Sequence, residues 1–168
     1  MIHKIFILIL LTFLPFLELR FSIPVGILSG QVDLPFHLSL QGLGLDWLLV
    51  FFVCVLANAV LGPIIYLLLD KVIHLFLRIK WIERCYQKQV IRTQRKIHRY
   101  VEKYGSFGLA FFIALPIPGS GSYSGALGAY LLGISHKKFI VINLVGVTIA
   151  GIIVTILTLM GRELFSHL

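Results

Sequence analysis

The chain has 168 residues, of which 58% are hydrophobic and 13% charged, with a net charge of +8 and a mean hydropathy of +0.97. A soluble fold is about one quarter charged, and one of this size has too little interior to hide so much apolar side chain. These values exclude the soluble classes. We therefore expect residues 1–168 to form one all-α, integral membrane domain.

The first predicted element, residues 1–32, is an apolar segment interrupted by charge. The apolar run Ile5–Phe16 is followed by Glu18-Leu19-Arg20 and by a proline at position 24, before apolar Val25–Leu28. Neither run is long enough to cross a bilayer alone, and proline favours a helix end. We predict a re-entrant helical hairpin whose break is Glu18–Pro24.

Two other segments are long enough to span. About 20 apolar residues cross the hydrocarbon core as a helix, and Trp47–Leu69 and Phe139–Met160 are free of charge. We predict transmembrane helices at 46–70 and 139–162.

The segment between the first span and the next break, residues 71–104, carries ten of the fifteen basic residues and only two acids. It lacks Gly and Pro, and its apolar positions recur at helical spacing, which predicts a basic amphipathic helix. Positive charge favours the cytoplasmic side. Anionic lipid headgroups are the expected partner, rather than nucleic acid.

The last broken element, residues 105–134, has apolar arms at Phe107–Leu115 and Tyr123–Leu132 around Pro116–Ser124. This pattern predicts a second re-entrant hairpin, because irregular backbone is tolerated at membrane depth only where protein or a wet cavity satisfies it. With the basic helix inside, the two hairpin-plus-span halves are inverted, as in many secondary transporters.

Charge in a membrane segment is costly, so Glu18 and Arg20 are candidate site residues. We interpret Glu18 as a proton-coupling acid. Arg20 would hold an anionic group, or pair with Glu18 when the site is empty. Ordinary interfacial charges after a short transmembrane helix are the alternative.

The second break offers glycine backbone and hydroxyl donors at the start of a predicted helix, which suits an anion such as phosphate or carboxylate. The alternative is a plain linking loop. The predicted substrate-binding residues are Arg20, Pro118, Gly119, Ser120, Gly121, Ser122, Tyr123 and Ser124.

Each predicted span also contains one asparagine, Asn58 and Asn143, which we assign as supporting polar residues; packing between helices is the alternative. No histidine or cysteine spacing suits a metal, and no nucleophile–base pair is identifiable. We expect no metal, no cofactor and no enzymatic activity.

Several motifs together resemble the small multidrug export protein family, which is itself related to the DedA group that includes the SNARE-associated Golgi (VTT) proteins. They are Glu-Leu-Arg-Phe-Ser-Ile-Pro at 18–24, Asn58 in the first span, Tyr-Gly-Ser-Phe-Gly at 104–108 and the Gly/Ser-rich run at 116–133. The resemblance implies two re-entrant hairpins packed against each other. Glu18 and Arg20 match the acid and base of the first hairpin, and 116–125 matches the glycine-proline motif of the second.

The resemblance also implies movement of phospholipid or polyprenyl-phosphate carriers. We therefore expect a proton-coupled transporter or lipid flippase for an anionic substrate, multi-pass in a prokaryotic plasma membrane. The alternatives are an uncoupled phospholipid scramblase, a small-molecule or drug exporter, and a non-transporting scaffold. Two spans are few to enclose a path, so we expect a homodimer.

Overall fold

A computed structural model of the chain describes residues 2–15, 17–34, 38–76, 105–117 and 120–166. These residues are mostly helical, as expected. The helices are α1 (Ile2–Phe13), α2 (Glu18–Ile27), α3 (Trp47–Phe76), α4 (Ser106–Ala114), α5 (Ser122–Leu131) and α6 (His136–Ser166), and the strands are β1 (Gln31–Leu34) and β2 (Leu38–Gln41).

Two helices are long and apolar enough to cross a membrane, over Trp47–Leu69 and His136–Glu163. Only 33% and 44% of the residues in their most apolar windows are buried by protein. Large apolar side chains such as Phe52, Leu56 and Ile156 are more than half exposed. So large an exposed apolar surface suits lipid and not water, and the expectation of two membrane-capable helices is confirmed.

Helices α3 and α6 pack closely and run antiparallel. A Cβ atom on Gly62 would lie 2.4 Å from Nδ2 of Asn143, and one on Gly151 would lie 2.6 Å from Cγ2 of Val55. Because the later residue of α3 meets the earlier residue of α6, the helix directions oppose. Small residues at this crossing let the backbones approach, as is common between helices in membranes.

The short helices form two packed pairs. In the second, Ile113 of α4 lies against Gly125 of α5, and Leu109 lies against Gly128, so these helices are antiparallel. Helix α4 ends at Ala114, since Pro116 disfavours helical geometry in the residue before it. Helices α4 and α5 thus occupy the two predicted arms of the second hairpin.

The predicted break at Glu18–Pro24 is wrong, because these residues lie within α2. The chain turns earlier, where Pro15 follows the end of α1 and cannot supply a helical N–H. Pro24 is tolerated because α2 continues for only three residues beyond it, so little helix depends on the missing donor. The turn places Glu18 at the first position of α2.

The expectation of an all-α fold also needs correction. Strands β1 and β2 pair antiparallel, with Val32 opposite Leu40. The chain then returns along the end of α2, where the N–H groups of Leu43 and Leu45 donate to the carbonyls of Val25 (2.7 Å) and Gly26 (2.9 Å). These bonds satisfy carbonyls that a helix end leaves without a partner.

All six helices contribute to one apolar core that includes Leu8, Ile23, Val50, Ile113 and Phe139, each at most 1% exposed. Helix α6 packs against α2, α3 and α4, and α5 packs against α3. This packing brings the start of α2 against the start of α5. Of the predicted basic helix, residues 71–76 continue α3, and residues 77–104 lie outside the described residues.

Candidate functional site

Glu18 is 7% exposed, and its carboxylate reaches across to the second helix pair. Oε2 accepts a hydrogen bond from the N–H of Ser122 and Oε1 accepts one from the N–H of Tyr123, each at 3.3 Å. The first N–H groups of a helix lack intrahelical partners and carry the positive end of the helix dipole. Glu18 therefore caps α5 from another helix. We call this carboxylate and the N-terminus of α5 the tip site.

Two backbone positions make the capping contact possible. Gly121, just before α5, has φ +128°, and a Cβ there would lie 2.0 Å from Oε2 of Glu18. Glu18 itself has φ +39°, which is uncommon outside glycine and asparagine. Backbone in sparsely populated regions persists only where its surroundings impose it, and such residues cluster at functional sites.

Arg20 forms its hydrogen bonds with Ser120, in the second break at Pro116–Ser124, and not with Glu18. Its Nη2 donates to the backbone carbonyl of Ser120 and, at 2.7 Å, to Oγ of the same residue. The Ser120 hydroxyl lies in turn 3.0 Å from the carbonyl of Ile117, as a donor. Between Arg20 and Glu18, both within the described part of the chain, no hydrogen bond or ion pair forms. Their opposite charges still attract each other electrostatically, without a direct contact.

The two asparagines of the spans both contact Ser122 of the tip site. Oγ of Ser122 donates to Oδ1 of Asn143 (2.9 Å) and lies 3.3 Å from the carbonyl of Asn58, while Nδ2 of Asn143 donates to the carbonyl of Ala59 at 3.3 Å. Both asparagines are at most 1% exposed. Within the described ranges, Oδ1 of Asn58 has no hydrogen-bond partner. The pair joins α3, α5 and α6.

The other predicted hydroxyl donors are also engaged by protein. The hydroxyl of Tyr123 donates to the carbonyl of Phe13 at 2.5 Å, and Oγ of Ser124 lies 3.4 Å from the carbonyl of Gly121. Pro118 and Gly119 lie outside the described residues. In this state the donors predicted for an external anion thus bind groups of the chain itself.

Two cavities adjoin the tip site. A cavity of about 10 Å³ is lined by Glu18, Arg20 and Asn58, among others, and is about the size of one water molecule. A groove of about 850 Å³ lies beside it. Arg20, Pro116 and Val154 line both the small cavity and the groove, whereas Arg162 lines only the groove. The sequence placed Arg162 only at a span edge, because no local motif marks it as a cavity residue.

The family model described as "Putative small multi-drug export protein" matches residues 18–153. The matched range begins at Glu18 and includes Arg20, both asparagines and the whole second helix pair. Comparison with curated proteins gave no significant match, nor did comparison with solved structures.

Proposed function

The chain belongs to the putative small multi-drug export protein family, and from this membership and the geometry of the tip site we propose that it is a membrane transporter of an anionic substrate. The family description supports transport. The exposed apolar faces of α3 and α6 support a location in the bilayer, which we assign to a prokaryotic plasma membrane crossed more than once.

The observation that carries the proposal is the contact of the Glu18 carboxylate with the N–H groups of Ser122 and Tyr123. Helix N-termini bind phosphate and carboxylate groups through these same donors. Glu18 therefore occupies the position that an anionic substrate would take. The adjoining cavity has only about 10 Å³ of space, so the substrate must displace Glu18 to bind there.

A proton on Glu18 would provide that displacement. Protonation removes the negative charge that the α5 dipole and N–H groups favour, and it frees the helix end for an external anion. When the anion leaves, the deprotonated carboxylate would return. Each transported anion would then be linked to one proton, which Glu18 takes up from one side of the membrane and releases to the other, and this gives a proton-coupled cycle.

We further propose that the two helix pairs are re-entrant hairpins in an inverted repeat, with 71–104 cytoplasmic. The antiparallel packing of α3 and α6 supports opposed halves. The substrate that we propose is a phosphate-bearing lipid or polyprenyl phosphate, which is what the sequence resemblance to the DedA group implies. The proposed cycle is non-enzymatic. We also propose a homodimer, because a second copy of the chain would help to enclose a transport path that two spans cannot enclose alone.

The experiment reconstitutes the full chain in proteoliposomes that contain a pH-sensitive dye and fluorescent phosphatidylglycerol. Glu18→Gln mimics the protonated acid. The matched control is Asp46→Asn, because Asp46 is an exposed carboxylate that caps its own helix through the N–H of Leu48 at 2.9 Å. We expect a proton gradient to accelerate lipid movement in the wild type and in the control variant but not in Glu18→Gln.

Gradient-dependent movement that persists in Glu18→Gln would refute the coupling role. Movement without any gradient dependence in the wild type would identify an uncoupled scramblase instead. A small-molecule exporter is the second candidate, because the family description names multi-drug export. Ethidium efflux measured in the same vesicles distinguishes it: that candidate predicts ethidium efflux with no effect on the lipid.

A further inference from the structure

The groove beside the tip site has the size and lining of a ligand-binding site. Its volume of about 850 Å³ lies within the range of about 300–1,000 Å³ that is usual for small-molecule sites. Part of the lining comes from α6, through Val154 and Leu157, and another part comes from the C-terminal end of α2 and the residue after it, through Pro24 and Leu28. Both parts present mainly apolar side chains.

The charged groups that line the groove are of one sign. Arg20 lies at one part of the lining and Arg162 at another, and no Asp or Glu is found among the described lining residues. Arg20 uses only Nη2 for its bonds to Ser120, so Nε and Nη1 remain without a partner in the described part of the chain. Arg162 is exposed.

We propose that this groove binds an amphipathic anion, with its alkyl chain along Val154 and Leu157 and its phosphate or carboxylate group between Arg20 and Arg162. Arginine suits this role because its planar guanidinium donates in parallel to such groups. An apolar chain suits the α6 wall, which would otherwise face lipid tails.

This inference rests on the proposed transport function, and it specifies the site at which the substrate binds before Glu18 is displaced. Arg20 lines both the groove and the small cavity at Glu18. A headgroup held by Arg20 is thus next to the helix end that Glu18 caps. In the proposed topology α6 runs outward, so the groove opens towards the outer leaflet.

The experiment uses the full chain in neutral maltoside micelles and a dodecyl phosphate that carries a photoreactive diazirine on its alkyl chain. Mass spectrometry of the cross-linked protein maps the labelled peptides. We expect labelling of the α6 segment around Leu157, with competition by unlabelled dodecyl phosphate. Inorganic phosphate and dodecyltrimethylammonium should not compete, since each has only one of the two required features.

Two substitutions test the charge and the wall separately. Arg162→Gln should weaken apparent binding about tenfold, the effect of losing one charge-assisted contact, whereas Lys138→Gln at the other end of α6 should leave it unchanged. Leu157→Trp should block labelling, whereas Leu144→Trp should not; both leucines are exposed, at 59% and 47%, but Leu144 does not line the groove.

Equal competition by dodecyltrimethylammonium or by inorganic phosphate would overturn the amphipathic-anion assignment, as would equal effects of each variant and its control. Glu18→Gln should retain labelling, because Glu18 does not line the groove. If the wild-type protein shows gradient-dependent transport but no labelling of the groove, this inference alone is refuted. If the wild-type protein is labelled in the groove but shows no transport, only the proposed function is refuted.

Discussion

Replacing Gly121 by alanine tests the tip site most directly, because the new Cβ atom would meet Oε2 of Glu18 at 2.0 Å. Two costs arise. Alanine at φ +128° lies in a region nearly restricted to glycine, at about 1–3 kcal/mol. Displacing the carboxylate also breaks two charge-assisted hydrogen bonds. Each is long, at 3.3 Å, so we assign each a contribution of about 1.5 kcal/mol, the lower end of the range for hydrogen bonds to charged groups.

The two costs separate in a double-mutant cycle. Gly121→Ala alone should lower the free energy of unfolding by about 4–6 kcal/mol. In a Glu18→Ala background only the backbone strain remains, so the same substitution should cost about 1–3 kcal/mol. The expected coupling energy is therefore about 3 kcal/mol.

Unfolding by SDS titration in mixed micelles measures all four proteins of the cycle. If Gly121→Ala alone does not fold, recovery of folded protein on adding Glu18→Ala gives the same answer qualitatively. A coupling energy below about 0.5 kcal/mol, the usual limit of additivity, would show that the carboxylate does not lie against Gly121, and the reasoning about the tip site would fail.

Three further substitutions, one of them a control, test the crossing of α3 and α6 and the hydrogen bond of Tyr66. Gly62→Ala would place a Cβ 2.4 Å from Nδ2 of Asn143. It should lower the free energy of unfolding by about 2 kcal/mol, because it disturbs the two hydrogen bonds of that amide. The control Gly108→Ala, with no atom near its Cβ, should leave the free energy of unfolding unchanged or raise it by up to about 1 kcal/mol. Tyr66→Phe removes the hydroxyl that donates to the carbonyl of Ile134 at 2.8 Å and should cost about 1 kcal/mol. The same SDS titration measures each, and an equal loss in Gly62→Ala and Gly108→Ala would contradict the close crossing.

Run length and proline position were enough to predict the long helices and the arms around Pro116. These features are local, since an uncharged run such as Trp47–Leu69 has few alternatives to a membrane-capable helix. The same local rule misplaced the first break. Proline usually ends a helix, but one close to the end of a packed helix, such as Pro24, removes only one hydrogen bond.

The small sheet was overlooked although its signal is present. Val32 and Leu34 alternate with polar residues, as do Leu38 and Leu40, and this period of two is typical of a strand pair. The long apolar runs on either side dominated the composition of the segment. Alternation over four residues is the signal that marks both strands.

The partners within the tip site could not be predicted from local pattern. Glu18 and Ser122 are 104 residues apart, and neither segment encodes which polar group the other will meet. The sequence indicated an anion at the start of α5, but not that the chain supplies this anion itself. The packing of α2 against α3 and α6 is what brings the Glu18 carboxylate to the start of α5.

An internal anion also sets the order of events in the proposed cycle. Glu18 makes two hydrogen bonds with the α5 N-terminus, whereas Arg20 keeps Nε and Nη1 free of partners in the described part of the chain. An arriving anion therefore gains contacts at Arg20 first and at Ser122 only after Glu18 has been protonated and displaced. Binding at Arg20 and release of Glu18 are then separate steps, so an anion held in the groove at high pH should be bound but not transported.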